Sequence, residues 1–216
     1  MSVFTTWRDP ARFNYVWVKH RADDGWTAPA QWHGAALADG QRHPVPGMPP
    51  ANATRQGGVE GSWHARLPHF NAASTPSKGD EVQTEYLLPR EHAVAGLAAL
   101  SDLAPRMTPL LLIGEVRTVA ADDLWLSPCY GRDTAAFHFT WRKDPAAVEA
   151  LLPAIEDRLA PFAPRPHWAK VFTFSPAQVG ASYPRLPEFR RLMTSYDPSG
   201  KFRNRFIDTF IPDDQA

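Results

Sequence analysis

The chain has 216 residues, 23 Lys and Arg against 23 Asp and Glu, and a formal net charge of zero. That length closes one large domain or two small ones around a hydrophobic core, and 44% hydrophobic with 21% charged residues excludes a disordered, collagenous or disulfide-framework chain. Balanced charge, without a polybasic block, argues against nucleic-acid binding.

Proline, at 22 residues, is used about twice as often as average, so regular elements should be short and interrupted. Cys129 is the lone cysteine, which forbids an intramolecular disulfide and points to a reducing, cytoplasmic setting. No apolar run approaches the roughly 20 residues that cross a bilayer, and the first residues lack the pattern of a secretory signal.

Residues 12–20, rich in aromatic and β-branched types between Asp9-Pro10 and Asp23-Asp24-Gly25, predict a strand. Residues 26–78 follow with no sustained period. Pro29, Pro44, Pro46, Pro49, Pro50, Pro68 and Pro76 scatter among Gly, Asn, Ala and Ser. A stretch this long inside a compact domain has to bind something or wrap a surface. Trp26, Trp32 and Trp63 favour wrapping, because such rings need somewhere to bury.

Residues 81–88 alternate as a strand. Residues 90–103 predict a helix with Val94, Leu97, Ala98 and Leu100 on one stripe. Strands follow at 110–119 and 135–142. Asp144-Pro145 reads as an N-cap and first helical position, and the helix behind it carries Val148, Leu151, Leu152, Ile155 and Leu159 inward. Pro153 inside that helix predicts a kink or a split. A short strand at 171–174, a helix at 188–195 and a turn at Asp197-Pro198-Ser199-Gly200 complete the pass. The class is α+β: a mainly antiparallel sheet flanked by helices, with a long Pro-rich loop near the N-terminus.

Side chains two apart on a strand share a face. Glu115 and Arg117 therefore share one, with Leu112, Val116 and Thr118 on the other. His138 and Thr140 oppose Phe137, Phe139 and Trp141, and Gln83 lies with Glu81 and Glu85. The common cause of such alternation is the solvent side of an antiparallel sheet. A carboxylate, a guanidinium, an imidazole and a hydroxyl also make a set of hydrogen-bonding groups for a polyhydroxylated ligand. Both readings are compatible with the pattern.

The run His167-Trp168-Ala169-Lys170 resembles the His-Trp-(Ala/Gly)-Lys signature of the alditol oxidases and sugar-lactone (arabinono- and gulono-lactone) oxidases, flavoenzymes of the vanillyl-alcohol oxidase superfamily. The terminal Asp-Pro-x-Gly-Lys-Phe-x-Asn-x-Phe of that group is matched at 197–206. Residues 114–128 resemble its alditol (xylitol) oxidase branch. The resemblance implies substrate binding by Gln83, Glu115, Arg117, His138, Thr140 and Lys170. It implies catalytic roles for Arg117, Lys170 and His138, and contacts to FAD by His167, Lys201 and Asn204.

In that reading a sugar alcohol or aldono-1,4-lactone is oxidised by hydride transfer to flavin N5, and oxygen becomes hydrogen peroxide. Residues 1–170 form the substrate-binding (cap) domain, and 171–216 return towards a flavin-binding domain that these residues do not contain. The chain is then the substrate-recognition part of an oxidase, half of a split enzyme completed by a separate flavin-binding polypeptide, or a non-catalytic carbohydrate- or partner-binding remnant. The compartment expected is cytoplasmic, with peripheral membrane association, as in some lactone-oxidising members, left open. His64 and His69, five apart around Pro68, and His33 and His43, ten apart, lack metal-ligand spacing, so no metal is expected. Cys129 reads as a small packed thiol. Trp125 and Trp141 read as core residues in strand contexts. Lys201, Arg203 and Arg205 read as part of the C-terminal turn.

Overall fold

In the computed structural model, residues 1–74 and 79–212 are described; the end of the long loop, with Pro76, lies outside them. The strands are β1 (Ser2–Thr5), β2 (Tyr15–Trp17), β3 (Gln31–Trp32), β4 (Ala35–Ala36), β5 (Glu81–Pro89), β6 (Leu111–Val119), β7 (Thr134–Arg142) and β8 (Arg165–Pro166). The helices are α1 (Trp63–Arg66), α2 (Ala93–Ser101), α3 (Ala104–Met107), α4 (Pro145–Leu159), α5 (Pro176–Ser182), α6 (Leu186–Tyr196) and α7 (Arg205–Phe210). Six strands form one sheet in the order β2-β1-β6-β7-β5-β8, with every pairing antiparallel. The α+β class read from the sequence is the class observed.

One face of the sheet is the core. Tyr86 and Leu88 of β5 and Ala135, Phe137, Phe139 and Trp141 of β7 are buried there with Leu100 of α2 and Leu152 and Ile155 of α4. Gly96 lets α2 approach closely: an added Cβ would lie 2.8 Å from Leu88 Cδ2 and 3.2 Å from Phe137 Cζ. Val179, Tyr183, Leu186 and Ile211, from the C-terminal helices and the residues beside them, join the same core. Asp144 caps α4 by accepting from the Ala147 N–H at 3.1 Å. The five residues predicted to point inward from α4 are all buried.

Several expectations need correction. The strand expected at 12–20 shrinks to β2, and β1, which continues the sheet beyond β6, was not foreseen. A bulge between Leu111 and Ile113 moves Leu111, instead of Leu112, onto the core face opposite Trp141. Val94 is 78% exposed, because α2 turns Gly96 and Leu100 to the sheet. Of the kink or split expected at Pro153, the split does not occur: α4 runs unbroken through it. The strand expected at 171–174 is absent: the sheet is extended by β8, and only the Val171 N–H reaches back, to Gln83 O at 3.0 Å. Trp125 sits in a turn beneath the Arg185 guanidinium, 5.0 Å from its ring centroid, and not in a strand.

The described part of the 26–78 loop holds the β3–β4 hairpin, α1 and a bridge between Ala53 and Phe70. It does not bury all its tryptophans, since Trp63 is 76% exposed. Its contribution to the sheet is His69, whose ring packs edge-on against Phe4 and Trp17.

Candidate active site

The sheet face opposite the core carries the polar groups, and strand register decides which of them meet. Glu85, His138 and Glu115 lie opposite one another across β5, β7 and β6; Gln83 and Thr140 form the next row, and Ala136 with Arg117 the row on the other side. The small Ala136 side chain lets the Arg117 guanidinium lean across β7 to reach β5. There Nη2 donates to Glu85 Oε1 at 2.6 Å, while Nη1 donates to Glu115 Oε2 at 3.4 Å.

Lys170 arrives from outside the sheet. Past β8, the His167 N–H donates to Glu85 O at 3.0 Å and the Lys170 N–H to His167 O at 3.1 Å, which ties a tight turn to the edge of β5. Trp168 anchors the turn from below, its indole donating to Leu126 O at 2.8 Å and its ring packing 4.6 Å from Tyr183. The far side of the turn is held by Glu156 on α4, which accepts from the Tyr86 hydroxyl at 2.7 Å and the Thr173 N–H at 2.8 Å. With its backbone fixed at both ends, Lys170 directs its ammonium to Glu85 Oε2 and to His138 Nδ1, the latter at 2.8 Å.

These contacts define the protonation pattern. His138 Nδ1 accepts from Lys170, so its N–H is on Nε2 and donates to Thr140 Oγ1 at 3.0 Å. Both imidazole nitrogens are therefore engaged. Lys170 keeps one N–H without a partner among the described residues, and Arg117, at 34% side-chain exposure, keeps several.

Glu115 is also held by the protein itself: its oxygens accept from His69 Nε2 at 2.9 Å and from Arg117. Lys19 contacts His69 Nδ1 at 3.1 Å, which leaves the His69 N–H on Nε2, facing Glu115. The desolvation cost of burying Lys19 lowers its pKa, with the Glu115 charge working against that.

Burial works to raise both carboxyl pKa values, and in both cases the surrounding donors win. With His138 Nδ1 accepting from Lys170, it is the charges of Arg117 and Lys170, together with the Lys170 hydrogen bond, that hold Glu85 well below the usual carboxylate range. The His69 hydrogen bond and the Arg117 charge bring Glu115 down to about 2. Burial lowers the His167 pKa; Glu85 opposes this, while Lys170, Arg117 and His138 reinforce it, which marks His167 as a neighbour of the cluster.

The structure thus brings together Glu115, Arg117, His138, Thr140 and Lys170, with Gln83 alongside in the Thr140 row. Lys201 and Asn204 lie elsewhere, exposed on the turn before α7. Asn204 spends its side-chain oxygen capping that helix, and Lys201 lies over the Phe202 ring. Glu85 and His69 are the groups sequence reasoning did not select. Glu85 was visible only as a face-mate of Gln83. His69 had no sequence signal, since its place depends on how the loop folds back.

The family model described as D-arabinono-1,4-lactone oxidase matches residues 75–210, most of the chain and all of this site except His69 and Lys19. The chain belongs to that family. It is 51% identical over 212 residues to an alditol oxidase from Streptomyces sp. (strain IKD472 / FERM P-14339), covering 96% of this chain and 49% of that protein. It is also 31% identical over 140 residues to an L-gulono-1,4-lactone dehydrogenase from Mycobacterium tuberculosis (strain ATCC 25618 / H37Rv), covering 63% and 32% of the two chains. An L-gulonolactone oxidase from Mus musculus is 29% identical over 131 residues, 57% of this chain and 29% of that protein. The chain of this lactone oxidase family member therefore spans at most about half the length of these relatives. Among the described residues, no helix is long and apolar enough to cross a membrane. Nor does any group of three or more His, Cys, Asp or Glu residues there come together to hold a metal ion. Cys129 is buried beside Thr134, as a packed thiol should be.

Proposed function

We propose that this chain is the substrate-recognition part of an FAD-dependent oxidase of sugar alcohols, with aldono-1,4-lactones as the neighbouring substrate class. The observation that carries the reading is the convergence of Arg117 and Lys170, each with N–H groups to spare, on a sheet face that also offers Gln83 and Thr140. Such a face supplies donors for a carbinol oxygen and mixed donor–acceptor groups for the hydroxyls beyond it. The 51% identity to a protein named alditol oxidase favours the open-chain polyol.

The donor chemistry fits a flavin at one edge. His167, whose Nδ1 accepts from the Ala169 N–H, presents an Nε2 N–H beside the Lys170 turn, and this is the residue that would meet the ring. Lys201 is an exposed cation suited to phosphate, and Asn204 keeps its amide N–H groups. The chemistry a bound FAD would supply is that of an acceptor for the hydride of the carbinol carbon, with the electrons released to oxygen as hydrogen peroxide.

The chain's own residues handle the rest. Arg117 and Lys170 donate to the carbinol oxygen and favour its alkoxide. Lys170 first passes a proton along its hydrogen bond to His138 Nδ1 and then, as the neutral amine, accepts the hydroxyl proton. The imidazolium that results lies 3.5 Å from Glu85 Oε2, which stabilises it. Residues 1–170 hold the substrate, and 171–216 are the segment that packs on a flavin-binding domain. Leu192, Tyr196, Phe202 and Phe206, exposed on that segment, support this. With the flavin domain supplied, peroxide release should be faster with xylitol than with D-arabinono-1,4-lactone. Absence of peroxide with either substrate refutes the reading.

A further inference from the structure

Glu85 is the most deeply buried charged group on the polar face, at 2% exposure, so it cannot itself be a substantial ligand surface. Arg117 comes from β6 and Lys170 from the turn beyond β8. Among the described residues Glu85 is the one side chain that hydrogen-bonds both. It also has no rotational slack, since Arg117 takes Oε1 and Lys170 takes Oε2.

Part of the attraction in such a cluster goes to offset the cost of taking its ions out of water. What it also provides is geometry and charge. On this face two cations, Arg117 and Lys170, meet two carboxylates, Glu85 and Glu115, and the balance is zero. Lys19 stands behind His69 at one end, and Glu81 and Arg142 face each other across β5 and β7 at the other.

We propose that Glu85 is the positioning and specificity-determining residue of this site: it clamps Arg117 and Lys170 in one place and cancels a charge, so that the face takes uncharged polyhydroxylated molecules and disfavours sugar acids of the same length. The proposal rests on the oxidase reading above and deepens it. Without the Glu85 charge, the two cations would lose their common anchor and the face would carry one uncompensated positive charge. A sugar carboxylate would then find the partner that Glu85 now occupies.

The test is Glu85→Gln in the protein with its flavin domain supplied, with xylitol as the neutral probe and xylonate as the acidic one. A misplaced pair of donors should lower kcat for xylitol by roughly 100-fold while KM changes less than about threefold. The added positive charge should tighten inhibition by xylonate by about tenfold or more. Unchanged xylitol kinetics, or a raised KM at intact kcat, overturns the clamp; an unchanged xylonate inhibition constant overturns the charge argument.

A second measurement needs neither flavin nor a variant that folds. Nitrogen-15 imidazole spectra of the wild-type 216-residue chain should show His138 as the Nε2–H tautomer, with Nδ1 accepting from the clamped Lys170. An Nδ1–H tautomer overturns the clamp. Should the wild-type protein with its flavin domain supplied oxidise neither xylitol nor the lactone, the oxidase reading falls, and the imidazole spectrum still decides whether Lys170 stands at His138 Nδ1 as the clamp requires.

Discussion

Replacing Glu115 by glutamine keeps the shape of the side chain and removes its charge, so the consequence for stability depends on pH in a way that packing cannot imitate. In the folded chain burial works to raise this carboxyl, but the His69 hydrogen bond and the Arg117 charge bring it from 4.5 to about 2. A change of that size corresponds to roughly 3 kcal/mol, at about 1.4 kcal/mol per pH unit. Between those two values the unfolded chain binds the proton and the folded chain does not. The stabilisation is therefore complete above about pH 4.5 and drains away as the pH falls towards 2. The glutamine variant has none of it to lose. Urea unfolding of both proteins at pH 5 and pH 2 should show their stability gap narrowing by roughly 3 kcal/mol towards acid. A gap that stays constant, or widens towards acid, would refute the claim that Glu115 is held ionised by His69 and Arg117.

Gly96→Ala should destabilise the chain by about 1–3 kcal/mol, because the new Cβ meets Leu88 and Phe137 where α2 crosses the sheet. The same change in an exposed helix would stabilise by up to about 1 kcal/mol, so denaturation reads the sign directly. Glu156→Ala should cost about 2–4 kcal/mol, since it strands the buried Tyr86 hydroxyl and opens a gap behind the Lys170 turn. Combining it with Tyr86→Phe should cost clearly less than the sum of the two single changes, and full additivity would contradict the shared network.

Much of this fold could be read from alternation. The middle stretches of β5 and β6 alternate in part, and β7 most cleanly announces Phe137, Phe139 and Trp141 as core and His138 and Thr140 as their opposite face. α4 announces itself through Asp144-Pro145 and the 3.6-residue spacing behind it. Where the sequence misled, a tertiary contact had outweighed a local preference. The Leu111–Ile113 bulge shifts which leucine faces Trp141, and Gly96, not Val94, faces the sheet because only a glycine fits against Leu88 and Phe137.

The candidate site divides in the same way. Gln83, Glu115, Arg117, His138 and Thr140 share a face that strand period alone separates, and the motif resemblance adds Lys170. The ion-pair pattern was hidden, because it depends on which rows come into register and on Arg117 crossing β7 above Ala136. His69 was beyond reach from sequence, as it arrives from a loop with no period of its own and is placed by Phe4, Trp17 and Lys19.

The central claim is that the polar face of the sheet is where a polyol binds. The most direct measurement is a crystal structure of the flavin-loaded protein with xylitol. The account predicts xylitol hydroxyls within about 2.7–3.2 Å of the Arg117 and Lys170 nitrogens and of Gln83 or Thr140. Xylitol bound away from these residues, for example in the cleft lined by Arg90, Glu91, Arg132 and Asp133, would contradict it.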